Sequence, residues 1–333
     1  MGDLNAVIDN LLSNLPIAMV VLKMFEFRRH RKELVITLSL VIDAWNARKT
    51  KIETRNMRED AAVTRKILLI CMTLGFLSIE GLLLMTIGQD IDIHAGHADR
   101  KFPMISSYFW YDINSSPVYE ITWLLQYIAT VLTTIAHTGV TGIFIGLVLH
   151  LRCQISNLRL RLEKLDIYDR NKMIRKKIEF IVMKHENINK FAKGIENIFN
   201  FMFLVEVFSC TVLLCMQFYV LVTLTTNDSK KYPIISTLLL YLLNVGAHLF
   251  VCCYTTDKLR DEGLSISQSA YNYEWYNLSV SDAKLLIIVM QRAGKPLQIS
   301  AGKLFPISMR LYSQIIITSV RYLSILIALR DKI

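Results

Sequence analysis

Apolar residues in this chain gather into runs too long and too poor in charge for the helices of a water-soluble domain. Residues 67–88 carry one charged side chain, Glu80; residues 121–149 carry only the titratable His137; residues 234–256 carry no Asp, Glu, Lys or Arg. Residues 201–224 contain Glu206, and residues 304–329 contain Arg310 and Arg321. A weaker run over 4–22 is interrupted by Asp9, Asn10 and Asn14. A bilayer takes ~20 apolar residues per helical span, and in hydrocarbon every backbone polar group must be satisfied within its own segment. The runs are too long for the ten-residue alternating strands of a membrane barrel. The predicted fold class is therefore all-α, a multi-span transmembrane helix bundle with six spans.

Two stretches outside these runs also predict structure. In 151–165, Leu151, Ile155, Leu158, Leu162 and Leu165 recur every three or four residues among Arg152, Arg159, Arg161 and Lys164. Such a stripe is one face of a helix, so the preceding span is expected to continue out of the membrane and pack on a partner. In 282–294, Ser279 and Asp282 form a start resembling a capping box, four aliphatic residues follow, and Gly294 and Pro296 end the segment. That helix is too short to span. The chain divides into a bundle over 1–256, a cytoplasmic region over 257–303 and a last span over 304–329.

Composition agrees, with 53% hydrophobic residues and a mean hydropathy of +0.37. The net charge of +10 would fit nucleic acid if it formed one patch, but it is distributed by topology. Residues 23–66 and 150–195 hold twelve Lys and Arg each and 257–303 hold six, whereas 89–120 and 225–233 hold two each. Basic loops stay on the cytoplasmic side, which orients the bundle and gives the charge anionic lipid headgroups as neighbours; no nucleic acid is expected. The sequons at Asn114 and Asn227 fall in outer loops, where glycosylation is expected, and the one at Asn277 falls inside. All six cysteines lie in apolar runs or beside basic loops, so no extracellular disulfide framework is expected. Residues 1–22 lack the basic start and small-residue cleavage site of a signal peptide. Six spans with the first loop inside put both termini outside, and an additional, earlier span is the expectation that restores a cytoplasmic N-terminus.

The most specific pattern is C-terminal. Tyr271 follows Ala270, Trp275 and Tyr276 are adjacent, and then come Lys295-Pro296-Leu297 and Ala301-Gly302-Lys303. An apolar helix follows, carrying Thr318-Ser319 and Tyr322. This resembles the C-terminal signature of insect odorant receptors, and the likeness extends over nearly the whole chain in span order and loop length. The resemblance implies seven spans, of which the first is absent here, and a heterotetramer with the odorant receptor co-receptor. It implies that the last helix of each subunit lines a cation pore and that the short helix and cytoplasmic extensions form a central anchor. It also implies a small volatile odorant as ligand and a place in the cell membrane of olfactory sensory neuron dendrites. One departure is Arg321, which stands where the family has a small polar residue.

Ile325 and Leu329 lie four apart on one face of the last span, and by resemblance Ile325 matches the gate, with Tyr322 and Arg321 beside it. A ring of apolar side chains closes a channel by dewetting, although lipid-facing or packed aliphatics look the same in sequence. The family's odorant pocket maps onto 4–15, 76–88, 119–132 and 233–244. There Ser78, Gly81 and Met85 share a helical face, as do Trp123 and Tyr127, and Tyr241 lies at mid-bundle. Small, thioether and aromatic groups suit a small apolar ligand, and equally suit ordinary helix packing. Glu80 and Glu206 are intramembrane acids that require partners inside the bundle. His94 and His97 read as solvated loop residues, and Gly142 and Gly146 as close packing within the chain.

No nucleophile, base and orienter set and no metal motif appears, so neither catalysis nor a cofactor is expected. A G-protein-coupled receptor would require the opposite orientation, outer-loop cysteines and an Asn-Pro-x-x-Tyr motif in the last span. A transporter would show an internal repeat or paired broken helices. A gustatory receptor-type channel shares the architecture and differs chiefly in the C-terminal signature.

Overall fold

The computed structural model describes residues 2–93, 116–165, 171–224 and 232–330. Among these the chain forms helices α1 (Gly2–Arg29), α2 (Arg31–Asn46), α3 (Lys51–Ile93), α4 (Val118–Glu163), α5 (Asn171–Thr223), α6 (Tyr232–Asn272), α7 (Val280–Ala293) and α8 (Met309–Arg330). A 3-10 turn over Trp275–Asn277 precedes α7, and an antiparallel pair, β1 (Ser300–Ala301) and β2 (Phe305–Pro306), precedes α8. Six helices, α1, α3, α4, α5, α6 and α8, are long and apolar enough to cross a membrane.

Helices α3 to α6 run for 43, 46, 53 and 41 residues. At 1.5 Å per residue they are about 60–80 Å long, roughly twice the hydrocarbon core of a bilayer. Their basic ends therefore stand outside the membrane as a helical stalk. The stalk is the best-buried part of the molecule: Leu151, Ile155 and Leu162 of α4 and Ile178 and Ile195 of α5 are at most 0% exposed. The apolar stripe of α4 packs on α5, and Leu286 and Val289 of α7 join the same core through α5 and α6. Outside that core, Ile121, Leu124, Leu125 and Leu132 of α4 are more than half exposed in the isolated chain. In lipid such side chains need no protein cover, because hydrocarbon solvates them as well as a core does.

Ion pairs join the stalk helices laterally. Arg152 and Arg161 of α4 reach Asp60 and Glu53 of α3, each at 2.5 Å, and Arg159 lies 3.5 Å from Glu262 of α6. Helix α7 begins at the N-cap Ser279, whose Oγ accepts from the Asp282 amide at 3.3 Å, and it is followed by Gly294.

Two sequence assignments change. The last span starts at Met309 rather than at 304, because Leu304, Phe305 and Pro306 belong to the hairpin. Pro306 has no amide N–H to donate, and its ring disfavours a helical residue before it, so apolarity alone overextended the run. Lys23, assigned by charge to the first cytoplasmic loop, lies within α1 and is 4% exposed.

The hairpin pins the start of α8. Gly302 donates its amide to Asn200 O of α5 at 2.7 Å, and Ser300 Oγ donates to Glu196 Oε1 at 2.8 Å. From α6, Thr256 Oγ1 donates to Ile307 O at 3.0 Å, and Asp257 Oδ2 accepts the Met309 amide at 2.9 Å. A carboxylate there satisfies one orphan N–H and faces the positive end of the helix dipole. Asp257→Ala is expected to cost about 1–2 kcal/mol, read as earlier unfolding of purified protein in lipid nanodiscs. An unchanged unfolding curve would show that Ser308, which accepts the Leu311 amide at 3.3 Å, suffices as the cap.

Candidate functional site

Four spans line a cavity of about 80 Å³. Helix α1 supplies Pro16, Met19 and Val20, and α5 supplies Glu206, Cys210 and Leu213. Helix α4 supplies Thr133, Thr134, His137 and Thr138, and α6 supplies Tyr241, Asn244, Val245 and His248. On α5 and α6 these positions recur at three or four residues, so each helix presents one continuous face to the space. Carbon atoms make up most of the wall, and the polar groups gather toward one end.

That end holds charge. Lys23 Nζ forms an ion pair with Glu206 Oε2, and the two side chains are 5% and 7% exposed. Lys23 Nζ also lies 3.2 Å from His137 Nδ1. An ammonium group only donates, so His137 Nδ1 accepts there and the ring carries its proton on Nε2. His137 Nε2 lies 4.0 Å from Glu206 Oε1, the Cys210 thiol donates to Glu206 Oε1 at 3.7 Å, and the His248 ring packs on His137 at 4.6 Å between centroids. Neither ion would be stable alone in this setting, whereas the pair has no net charge and its remaining valences meet polar neighbours. The sequence marked Glu206 as needing a partner; Lys23 was hidden from it by the loop assignment. Glu80, the other intramembrane acid, lies on the exposed surface of α3.

Apart from Glu206 Oε2, which Lys23 engages, three polar atoms of the wall are buried and have no hydrogen-bond partner among the described residues: Thr138 Oγ1, Asn244 Oδ1 and His248 Nδ1. Thr138 and His248 are 2% and 3% exposed. Thr138 stands out among its neighbours, since Thr130, Thr133 and Thr141 each donate to the carbonyl four residues earlier on α4.

Of the six residues named as odorant contacts, Tyr241 lines this cavity. Ser78 is 8% exposed and donates to Leu74 O at 2.8 Å within α3. Gly81 packs on Thr237 of α6, which donates from Oγ1 to Gly81 O at 3.2 Å. Trp123 and Tyr127 stack on each other, with centroids 6.0 Å apart and ring planes 18° apart. Met85 and Leu329 lie in α3 and α8 but their side chains are outside what is described, and Asn114, Asn227, His94 and His97 lie outside the described residues. On α8, Tyr322 and Ile325 are 51% and 53% exposed, and Arg321 is also exposed. Tyr271, Tyr276 and Pro296 of the signature are exposed, Trp275 packs partly into the stalk core, and Gly302 and Lys303 form the hairpin turn with φ of 59° and 60°. Gly142 and Gly146 face Leu68 and Thr64 of α3, a packing contact within the chain.

Helix α8 touches two of the four helices that line the cavity. Ser319 Oγ donates to Thr211 O of α5 at 3.2 Å, and Tyr312 meets Phe250 of α6 edge-on at 5.6 Å. The cavity-lining Leu213 and His248 are two residues from these contact points on α5 and α6.

Comparison with known proteins follows the same lines. A family profile described as 7tm Odorant receptor matches residues 3–320. The chain is similar to Odorant receptor 10 of Aedes albopictus, 23% identical over 214 residues, which are 63% of this chain and 56% of that protein. Odorant receptor Or2 of Anopheles gambiae is 19% identical over 223 residues, 65% of this chain and 58% of that protein. The odorant receptor coreceptor of Drosophila melanogaster is 23% identical over 158 residues, 47% of this chain and 32% of that protein. The matched part thus spans a little over half the length of the two odorant receptors and about a third of the co-receptor. The fold is similar to that of the insect olfactory receptor OR5 from Machilis hrabei, solved in complex with eugenol. That match has a TM-score of 0.75 at 15% identity and covers 97% of this chain and 82% of the other. The molecule is a multi-span membrane protein, and the chain belongs to the 7tm odorant receptor family.

Proposed function

We propose that the chain is the odorant-binding subunit of a ligand-gated cation channel, assembled as a heterotetramer with an odorant receptor co-receptor in the membrane of olfactory sensory neuron dendrites. One observation carries this reading: two of the four helices that line the cavity, α5 and α6, are also the helices that hold α8. A ligand that favours one spacing of α5 and α6 therefore favours one placement of α8, a population shift by differential binding. The outer face of α8 carries Ile317, Val320 and Ile325, each about half exposed, beside the exposed Arg321, and suits a pore closed by dewetting at Ile325 and flanked by neighbouring subunits. Tyr271 and Tyr276, exposed at the stalk, suit contact with those subunits.

The test is whole-cell recording from cells expressing the chain with a co-receptor, challenged with a broad odour panel. Odour-evoked cation current that persists when guanine-nucleotide exchange is blocked, and is absent without this chain, is the expected result. A response that needs G protein and no co-receptor would sink the channel reading.

A further inference from the structure

The cavity has more polar capacity than a hydrocarbon ligand can use, and that excess points to a ligand class. Thr138 Oγ1, Asn244 Oδ1 and His248 Nδ1 are buried, line one space of about 80 Å³, and are without hydrogen-bond partners. Asn244 and His248 are four residues apart on α6, which sets them on the same face. Thr138 faces them across the same space from α4, so the three groups share one cavity wall to wall. A buried polar group without a partner costs free energy, and a ligand that supplies partners recovers it.

Building on the odorant-channel reading, we infer that this cavity takes a small neutral molecule bearing a hydroxyl group. The hydroxyl donates to Asn244 Oδ1 or His248 Nδ1 and accepts from the Thr138 hydroxyl, while its hydrocarbon part lies along Met19, Val20 and Leu213. Chemistry excludes the competitors. An organic acid or a protonated amine would bring a charge into a site whose ions, Lys23 and Glu206, already neutralise each other. A ketone, ester or ether only accepts, so it leaves the Asn244 oxygen unmet. A hydroxyl group both donates and accepts, and thus serves either orientation of the Asn244 amide and either tautomer of His248. The cavity holds several water-sized positions, since one water needs roughly 10–15 Å³ by the same measure, so a hydroxyl with a short carbon chain or ring fits.

The experiment compares two isomers of equal atom count, hexanol and methyl pentyl ether. Binding is read by headspace depletion of each volatile over the full chain in lipid nanodiscs, with empty nanodiscs as the blank. Hexanol is expected to bind about tenfold or more tightly than the ether, because only it can meet both a donor and an acceptor. In Thr138→Val with Asn244→Leu the ratio is expected to fall below about threefold, with folding checked by gel filtration. Should that variant fail to fold, the isomer comparison on the unaltered chain still decides. Equal affinity for the isomers would overturn the inference, showing that water stays on the three groups and the ligand touches only the apolar wall. A hydroxyl preference that survives in the folded variant, or no binding of either isomer, would overturn it as well. Current recordings separate the two readings: hydroxyl-selective binding without any odour-evoked current leaves the site standing and removes the channel, whereas current without hydroxyl preference does the reverse.

Discussion

Replacing Lys23 with methionine is expected to destabilise the folded chain by about 3–5 kcal/mol, the largest loss for any single polar substitution in the spans. The stem of lysine is kept in length by methionine, so packing changes little and the effect isolates the charge. Glu206, 7% exposed and facing lipid-embedded helices, would be left with the neutral His137 and the Cys210 thiol as neighbours. Equilibrium unfolding of the purified chain in nanodiscs measures the loss. The informative control is the double change Lys23→Met with Glu206→Leu. Removing both ions is expected to recover most of the loss, to within about 1–2 kcal/mol of the unaltered protein, because each ion matters chiefly as the partner of the other. A single variant as stable as the parent would mean that water reaches Glu206 and that the floor of the cavity is not dry.

Gly302→Val is the second large effect. Gly302 has φ of 59°, a backbone region that costs a β-branched L-residue roughly 1–2 kcal/mol. A Cβ there would also lie 2.8 Å from Cδ2 and 3.0 Å from Cδ1 of Leu204, so overpacking against α5 adds about 1–3 kcal/mol. Together these predict a loss of about 3 kcal/mol in the same unfolding assay. The neighbouring Lys303, with φ of 60°, is exposed. Lys303→Gly is expected to be neutral or to stabilise by up to about 1 kcal/mol, since it relieves the strained backbone but gives the unfolded chain more freedom. Equal losses from both substitutions would show that the turn is held by its sequence neighbours and not by its fit against Leu204.

The spans were legible because a bilayer imposes a length and a composition that few other environments require. What failed was the treatment of Lys23 as one more loop charge: a lysine just past an apolar run usually stays at the membrane surface, and this one is drawn inward by Glu206, which lies far along the chain. The cavity followed the same logic. Of the aromatic and small residues that suit an apolar pocket in the outer half, Tyr241 lines the cavity. His137, Asn244 and His248 were not legible, because polar residues in a span do not reveal, from one helix alone, whether they face a neighbour, a void or another polar group. Trp123 and Tyr127 illustrate the converse, since their spacing put them on one face and the structure stacks them on each other.

The pinned start of α8 makes that helix a lever. With Met309 held by Asp257 and the hairpin held by α5, rotation of α8 pivots near its N-terminal end. Ile325 stands about 24 Å along the axis from Met309 at 1.5 Å per residue, so a tilt of about 10° displaces it by roughly 4 Å. The same tilt moves Leu311, two residues from the pivot, by roughly 0.5 Å. Packing around Leu311 can therefore stay intact while the far end of the helix, half exposed at Ile325, swings by several times as much.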